Sequence, residues 1–116
     1  MESKRQLQVA EMIKRNFGHV VREEGSYIYG SEPFVTVTSV VVTPDLSLAK
    51  IYLSIYNVED KNEVINLMEH AHHQLKQALV KRIRKHIRRI PEIAFYEDDT
   101  LDEMYRLRNL FDNLKD

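Results

Sequence analysis

Residues 34–43, Phe34-Val35-Thr36-Val37-Thr38-Ser39-Val40-Val41-Val42-Thr43, contain eight β-branched side chains in ten positions, which leaves the segment little choice but an extended strand. Apolar residues occupy alternate positions at Val35 and Val37 and resume at Val40 and Val42, one position out of phase. The shift predicts a β-bulge near Thr38 and Ser39. Thr43-Pro44-Asp45-Leu46 follows as a turn, because proline presets its backbone and an aspartate there can accept from amides just beyond it. A second strand begins at once, with Ala49, Ile51, Leu53 and Ile55 alternating with Lys50, Tyr52, Ser54 and Tyr56. Two strands joined so closely pair as an antiparallel hairpin with one buried face.

That buried face needs a cover, and the flanking sequence supplies helices. Ser3 and Gln6 form a capping-box pattern ahead of Leu7, Ala10, Ile13, Phe17, Val20 and Val21, so a first helix is expected over 4–22. Gly25, Gly30 and Pro33 then predict a loop over 25–30. After the hairpin, Val64, Ile65, Leu67, Met68, Ala71, Leu75, Leu79 and Ile83 recur at helical spacing, and the pattern extends to about Arg89. As one rod it would approach ~45 Å, too long for so small a domain, so a break is expected near 71–74. Pro91 stops the helix, and Ile93 and Phe95 mark a third strand. Thr100 and Glu103 open a last capped helix over about 100–114, carrying Leu101, Met104, Leu107, Leu110, Phe111 and Leu114. The expectation is an α+β fold in a single domain over 1–116, with its core in about 4–98 and an added C-terminal helix.

Seven cations, Lys76, Lys81, Arg82, Arg84, Lys85, Arg88 and Arg89, fall between Gln74 and Pro91 with no Asp or Glu among them, although the whole chain carries a net charge of −1. On a helical wheel at about 100° per residue, Leu75, Ala78, Leu79, Ile83, Ile87 and Ile90 gather on one side and all of these cations except Lys76 crowd the other. Like charges this close repel, so counter-charges are expected from outside, and RNA phosphate is the commonest such source. The competing reading is a solvated face balanced by acids that the fold brings near. Glu23, Glu24, Asp98, Asp99, Asp102, Glu103, Asp112 and Asp116 all lie outside the segment, so the surface is polarised.

Other chemistries find less support. Without cysteine there are no disulfides, thiolate metal sites or cysteine nucleophiles. No apolar run approaches the ~20 residues that span a bilayer, and the N-terminus lacks a signal-peptide core, so a cytoplasmic protein is expected. His70, His72 and His73 lack the further ligands a metal site needs. Glu97, Asp98, Asp99, Asp102 and Glu103 are explained by the start of a capped helix more simply than by magnesium. Tyr52 and Tyr56 suit base stacking and strand packing equally. Neither a phosphate-cradling glycine loop nor a nucleophile elbow is present, so no enzyme and no cofactor are expected.

The order helix, strand, strand, helix, helix, strand is that of a type II KH domain, but Gly18, Gly25 and Gly30 do not form the Gly-x-x-Gly clamp of ordinary members. From Lys4 to about Leu110 the chain instead resembles the bacterial ribosome-binding factor A family. The resemblance rests on Thr38 through Val40, Thr43-Pro44-Asp45-Leu46, Ala49-Lys50-Ile51-Tyr52, Leu75-Lys76, Leu79, Arg88-Arg89-Ile90-Pro91-Glu92-Ile93-Ala94-Phe95 and Asp98. That family has an Ala-x-Gly kink between two helices in place of the clamp. Here the kink reads Ala71-His72-His73, so a histidine fills the glycine position, and the bend is expected to be shallower or absent. Lys76 stands where arginine is usual in the family, losing the fork that grips phosphate with two bonds. No large apolar stripe is left over once the core is assigned, so a monomer is the default expectation. The resemblance implies a non-enzymatic assembly factor. It would bind 16S ribosomal RNA in the immature 30S subunit, support maturation of the RNA 5′ end and aid growth in the cold. The alternative is an adaptor whose basic helix docks an acidic protein.

Overall fold

A computed structural model describes residues 2–98. In chain order the elements are α1 (Lys4–Tyr29), β1 (Phe34–Val42), β2 (Leu48–Tyr56), α2 (Lys61–His70), α3 (His72–Ile83) and β3 (Glu92–Glu97). This is the α-β-β-α-α-β order of an α+β, type II KH-like domain. The helix expected over 100–114 lies outside the described residues.

The sheet runs β1-β2-β3, antiparallel between β1 and β2 and parallel between β2 and β3. Val37 pairs with Leu53 and Ser39 with Tyr52, so Thr38 is the extra residue of the expected bulge. That insertion returns Val40 and Val42 to the face already held by Val35 and Val37, and the hairpin buries one continuous apolar surface. The helices cover it. Ile13, Phe17 and Val20 of α1, Ile51, Leu53 and Ile55 of β2, Met68 of α2 and Leu75, Leu79 and Ile83 of α3 are essentially without solvent contact. On the opposite face Phe34, Val41 and Tyr96 are exposed.

The start of α1 is fixed twice through one side chain. Gln6 Oε1 accepts from the Ser3 amide at 2.8 Å, completing the capping box, while Gln6 Nε2 donates to the Val42 carbonyl at 2.9 Å. A buried amide is stable there because both of its ends are partnered.

Two boundaries differ from the sequence expectation. α1 does not stop at residue 22 but continues through Gly25 to Tyr29. The buried stripe Phe17, Val21, Gly25 goes on to half-buried Ile28 and Tyr29, so packing outweighs the helix-weakening tendency of glycine. The Tyr29 ring lies where a Gly25 Cβ would stand, so the missing side chain makes room for it. The true stop is Gly30, whose φ of 90° suits glycine and whose amide donates to the Ser26 carbonyl at 3.1 Å. The second difference is the end of α3, which falls at Ile83 and not near Arg89. Glu92 must pair its amide with the Ser47 carbonyl to start β3, and Pro91 drives its predecessor away from helical backbone. The chain therefore turns at residues 84–86 instead of prolonging the rod.

The hairpin turn is organised by Asp45. Its Oδ1 accepts from the Thr43 hydroxyl at 2.8 Å, the Ser47 hydroxyl at 2.7 Å and the Ser47 amide at 3.1 Å, and Leu46 adopts a φ of 62° beside it. These donors, the Ser47 hydroxyl foremost, lower the carboxyl from 3.8 to about 2. A carboxyl depressed by folding stabilises the native state above its unfolded value and loses that contribution as pH falls through its folded value. In acid unfolding, the stability advantage over Asp45→Asn should therefore shrink as pH drops from 3.8 to about 2. A difference that stays constant across that window would refute this role for Asp45.

Candidate nucleic-acid interface

The basic segment starts at the elbow between α2 and α3. Asp60 caps α2 by accepting from the amides of Asn62 and Glu63 at 3.0 and 3.3 Å, and the helix ends at Ala71, with φ −97° and ψ 17°. The break is therefore present although glycine is not. Its φ is negative, so an ordinary L residue can form it, and the helix does not run continuously through the elbow. The Ala71 amide lies 3.1 Å from the carbonyls of both Leu67 and Met68, closing α2 with a shared bond.

α3 then buries Leu75, Leu79 and Ile83, and Ile87 returns to the core beyond the turn. The cations fall between and beyond these anchors. Lys81 and Arg82 stand on the last turn of α3, Arg84 and Lys85 on the turn that follows, and Arg88 and Arg89 on a bend between Ile87 and Ile90; all six are exposed. The crest thus wraps around the end of a helix and into a loop, in place of the straight helical ridge expected. Its position offsets part of the mutual repulsion, because the C-terminal end of a helix carries partial negative charge.

Two of the seven candidates have internal partners. Lys76 is partly covered and its Nζ lies 2.8 Å from Glu92 Oε2, and this hydrogen bond holds the Glu92 carboxyl below its ordinary range. Arg82 donates through Nε to Asn16 Oδ1 at 3.2 Å and stands 4.0 Å from a Glu23 carboxylate oxygen. Lys81, Arg84, Lys85, Arg88 and Arg89 have no ion pair among the described residues. Among the described residues, the rival reading of a face balanced by acids applies to Arg82 and Lys76 and not to the other five cations.

The histidines separate. His70 and His73 are exposed, whereas His72 is half-buried, and its Nε2 lies 2.9 Å from the Ile93 carbonyl. No cluster suited to a metal ion occurs among the described residues. On the open sheet face Tyr52 stacks on Tyr96 with centroids 5.4 Å apart, and Lys61 Nζ lies 5.8 Å from the Tyr56 ring centre. Tyr96 joins the two tyrosines singled out by the sequence because the third strand sets it opposite Tyr52, a pairing that strand register alone reveals.

A family model described as ribosome-binding factor A matches residues 5–111. The chain belongs to the ribosome-binding factor A family. A curated member from Cytophaga hutchinsonii is 42% identical over 102 residues, covering 88% of this chain and 76% of that protein. Another, from Pelodictyon phaeoclathratiforme, is 32% identical over 108 residues, covering 92% and 88%. Both are ribosome-binding factor A proteins, and members of the family are non-enzymatic ribosome assembly factors.

Solved structures agree on the fold. The crystal structure of ribosome-binding factor A from Thermus thermophilus superposes with a TM-score of 0.64 at 19% identity, covering 79% of this chain and 94% of that one. A homology model of the Thermus thermophilus factor, fitted into a cryo-EM map of its complex with the 30S subunit, gives a TM-score of 0.60 at 24% identity, covering 77% and 90%. No helix among the described residues is long and apolar enough to cross a membrane.

The approach of Arg82 to Glu23 is long and exposed, and such pairs contribute about 0–1 kcal/mol. Arg82→Ala should accordingly leave the thermal unfolding midpoint nearly unchanged. A marked fall would show that Arg82 is a structural residue and remove it from the interface.

Proposed function

We propose that this chain docks on the immature 30S subunit by laying the crest formed by Lys81, Arg84, Lys85, Arg88 and Arg89 along the phosphates of 16S ribosomal RNA. Arg82 and Lys76 contribute less, since each must first give up an internal partner. The observation that carries this reading is a set of five exposed cations, close in sequence, with no ion pair among the described residues. Phosphate contacts of this kind position a protein without reading sequence, which suits recognition of a folded RNA surface. The 30S complex reported for the Thermus thermophilus factor supports the choice of partner. By the same family relationship, the protein acts in the cytoplasm, supports maturation of the 16S 5′ end and growth in the cold, and departs before translation; it does so as a monomer, the default for a sequence with no apolar stripe left over from its core.

Gradient sedimentation of a lysate tests this. The protein should travel with free small subunits, be scarce on translating ribosomes, and be released by nuclease and by raised salt. Co-sedimentation that survives nuclease would favour the acidic-protein adaptor instead. Charge reversal at Arg84 and Arg88 should weaken binding to purified small subunits and flatten its salt dependence by roughly 0.7–0.9 log–log units for each phosphate no longer engaged. Unchanged affinity and slope in that double variant would end the assignment.

A further inference from the structure

The elbow between α2 and α3 is a break that its own backbone does not enforce. Ala71 has ordinary negative φ, and α3 begins without a side-chain cap. Continuation of α2 straight into α3 would require no forbidden geometry, so something outside the helices must hold the bend. The side chain immediately after the break reaches across to β3. His72 Nε2 lies 2.9 Å from the Ile93 carbonyl and 3.3 Å from Glu92 Oε1. Since both neighbours only accept, this nitrogen must carry the proton. The ring also meets Phe95 edge-on, with centroids 5.8 Å apart and planes at 60°. β3 lies at the edge of the sheet among the described residues, so a carbonyl directed away from β2 would otherwise face solvent.

Glu92 extends the arrangement. One carboxylate oxygen faces His72 and the other accepts from Lys76 at 2.8 Å, one helical turn further along α3. His72, Glu92 and Lys76 thus form a bracket between the first turn of α3 and the first residues of β3.

We propose that His72 is a positioning residue: by donating from Nε2 to the Ile93 carbonyl it fixes where α3 starts on β3, and so aims the cationic crest. The crest begins about 15 Å from the elbow on the same helix, so a shift in where α3 starts along β3 is passed on to the crest. Leu75, Leu79 and Ile83 determine which face of α3 is buried, whereas His72 determines where the helix is pinned along the strand. The functional part of the proposal rests on the RNA-docking reading above; the pin itself does not.

The test uses the full chain with His72→Ala and His72→Gln, whose amide can also donate to the carbonyl. His72→Ala should accelerate amide hydrogen exchange at residues 73–76 and weaken small-subunit binding several-fold. The salt slope should stay unchanged, because no phosphate-contacting cation is removed. His72→Gln should restore most of both. Wild-type exchange and affinity in His72→Ala, or no recovery in His72→Gln, would overturn the proposal. Should His72→Ala fail to fold, imidazole nitrogen shifts of the native protein at alkaline pH decide the matter. A proton on Nε2 supports the pin and a proton on Nδ1 alone excludes it. If the Arg84 and Arg88 reversal leaves binding intact, the docking reading fails, while accelerated exchange in His72→Ala still supports the pin.

Discussion

The first helix and the last described strand meet through Phe17 and Phe95, whose rings stack 5.6 Å apart in the core. Much of the molecule depends on that contact. β3 has six residues and, among the described residues, one neighbouring strand, so the ladder to β2 holds it along one edge only. Burial of Ile93 and Phe95 beneath the helices secures its face. Truncating a buried phenylalanine costs about 3–5 kcal/mol, a large share of the roughly 5–15 kcal/mol typical of a domain. Once β3 is placed, its first residues fix the return path of the chain through Ile87, Ile90 and Pro91. Its Ile93 carbonyl and Glu92 carboxylate receive α3. The position of the cationic crest is therefore inherited from an apolar contact in the core.

The crest itself is a compromise between repulsion and attachment. Six exposed cations within nine residues oppose one another, and continued α-helix would align them along one ridge. The chain instead tightens beyond Ile83: Arg84 keeps helical angles, and the amides of His86 and Ile87 both donate to the Ile83 carbonyl, at 2.9 and 3.3 Å. Burial of Ile83 and Ile87 on either side keeps the turn fastened to the core, so the charges are held on a surface that is itself well anchored. Partial negative charge at the end of α3 favours the cations nearest it, Lys81, Arg82, Arg84 and Lys85.

Much of this is legible in the chain because period and phase are local properties. The one-residue slip between Val37 and Val40 announces the bulge at Thr38, and the alternation from Ala49 to Ile55 announces the second strand. Glycine is the weaker guide. Gly25 reads as a breaker, yet it sits on the buried stripe of α1, where Tyr29 uses the space it leaves. Ile87 and Ile90 continue the helical spacing of Leu75, Leu79 and Ile83, but they serve as anchors of a bend. The same spacing suits both uses, so the end of α3 is invisible to periodicity. The partners of Lys76, Arg82 and His72 lie at Glu92, Glu23 and Ile93, separations that no local pattern reports.

A cation counts toward binding only by what remains after its internal partner is surrendered. For Lys81, Arg84, Lys85, Arg88 and Arg89 no ion pair among the described residues has to be given up. Arg82 would exchange a hydrogen bond to Asn16 and a 4.0 Å approach to Glu23, both exposed and individually weak. Lys76 is placed differently. Its 2.8 Å bond to Glu92 belongs to the same bracket that seats His72, so drawing it onto phosphate would loosen the elbow that aims the rest of the crest. Lysine at this position, with a single ammonium and no planar fork, is suited to such a strut. The seven cations that look equivalent in sequence are thereby ranked by the cost of releasing them, with Lys76 last.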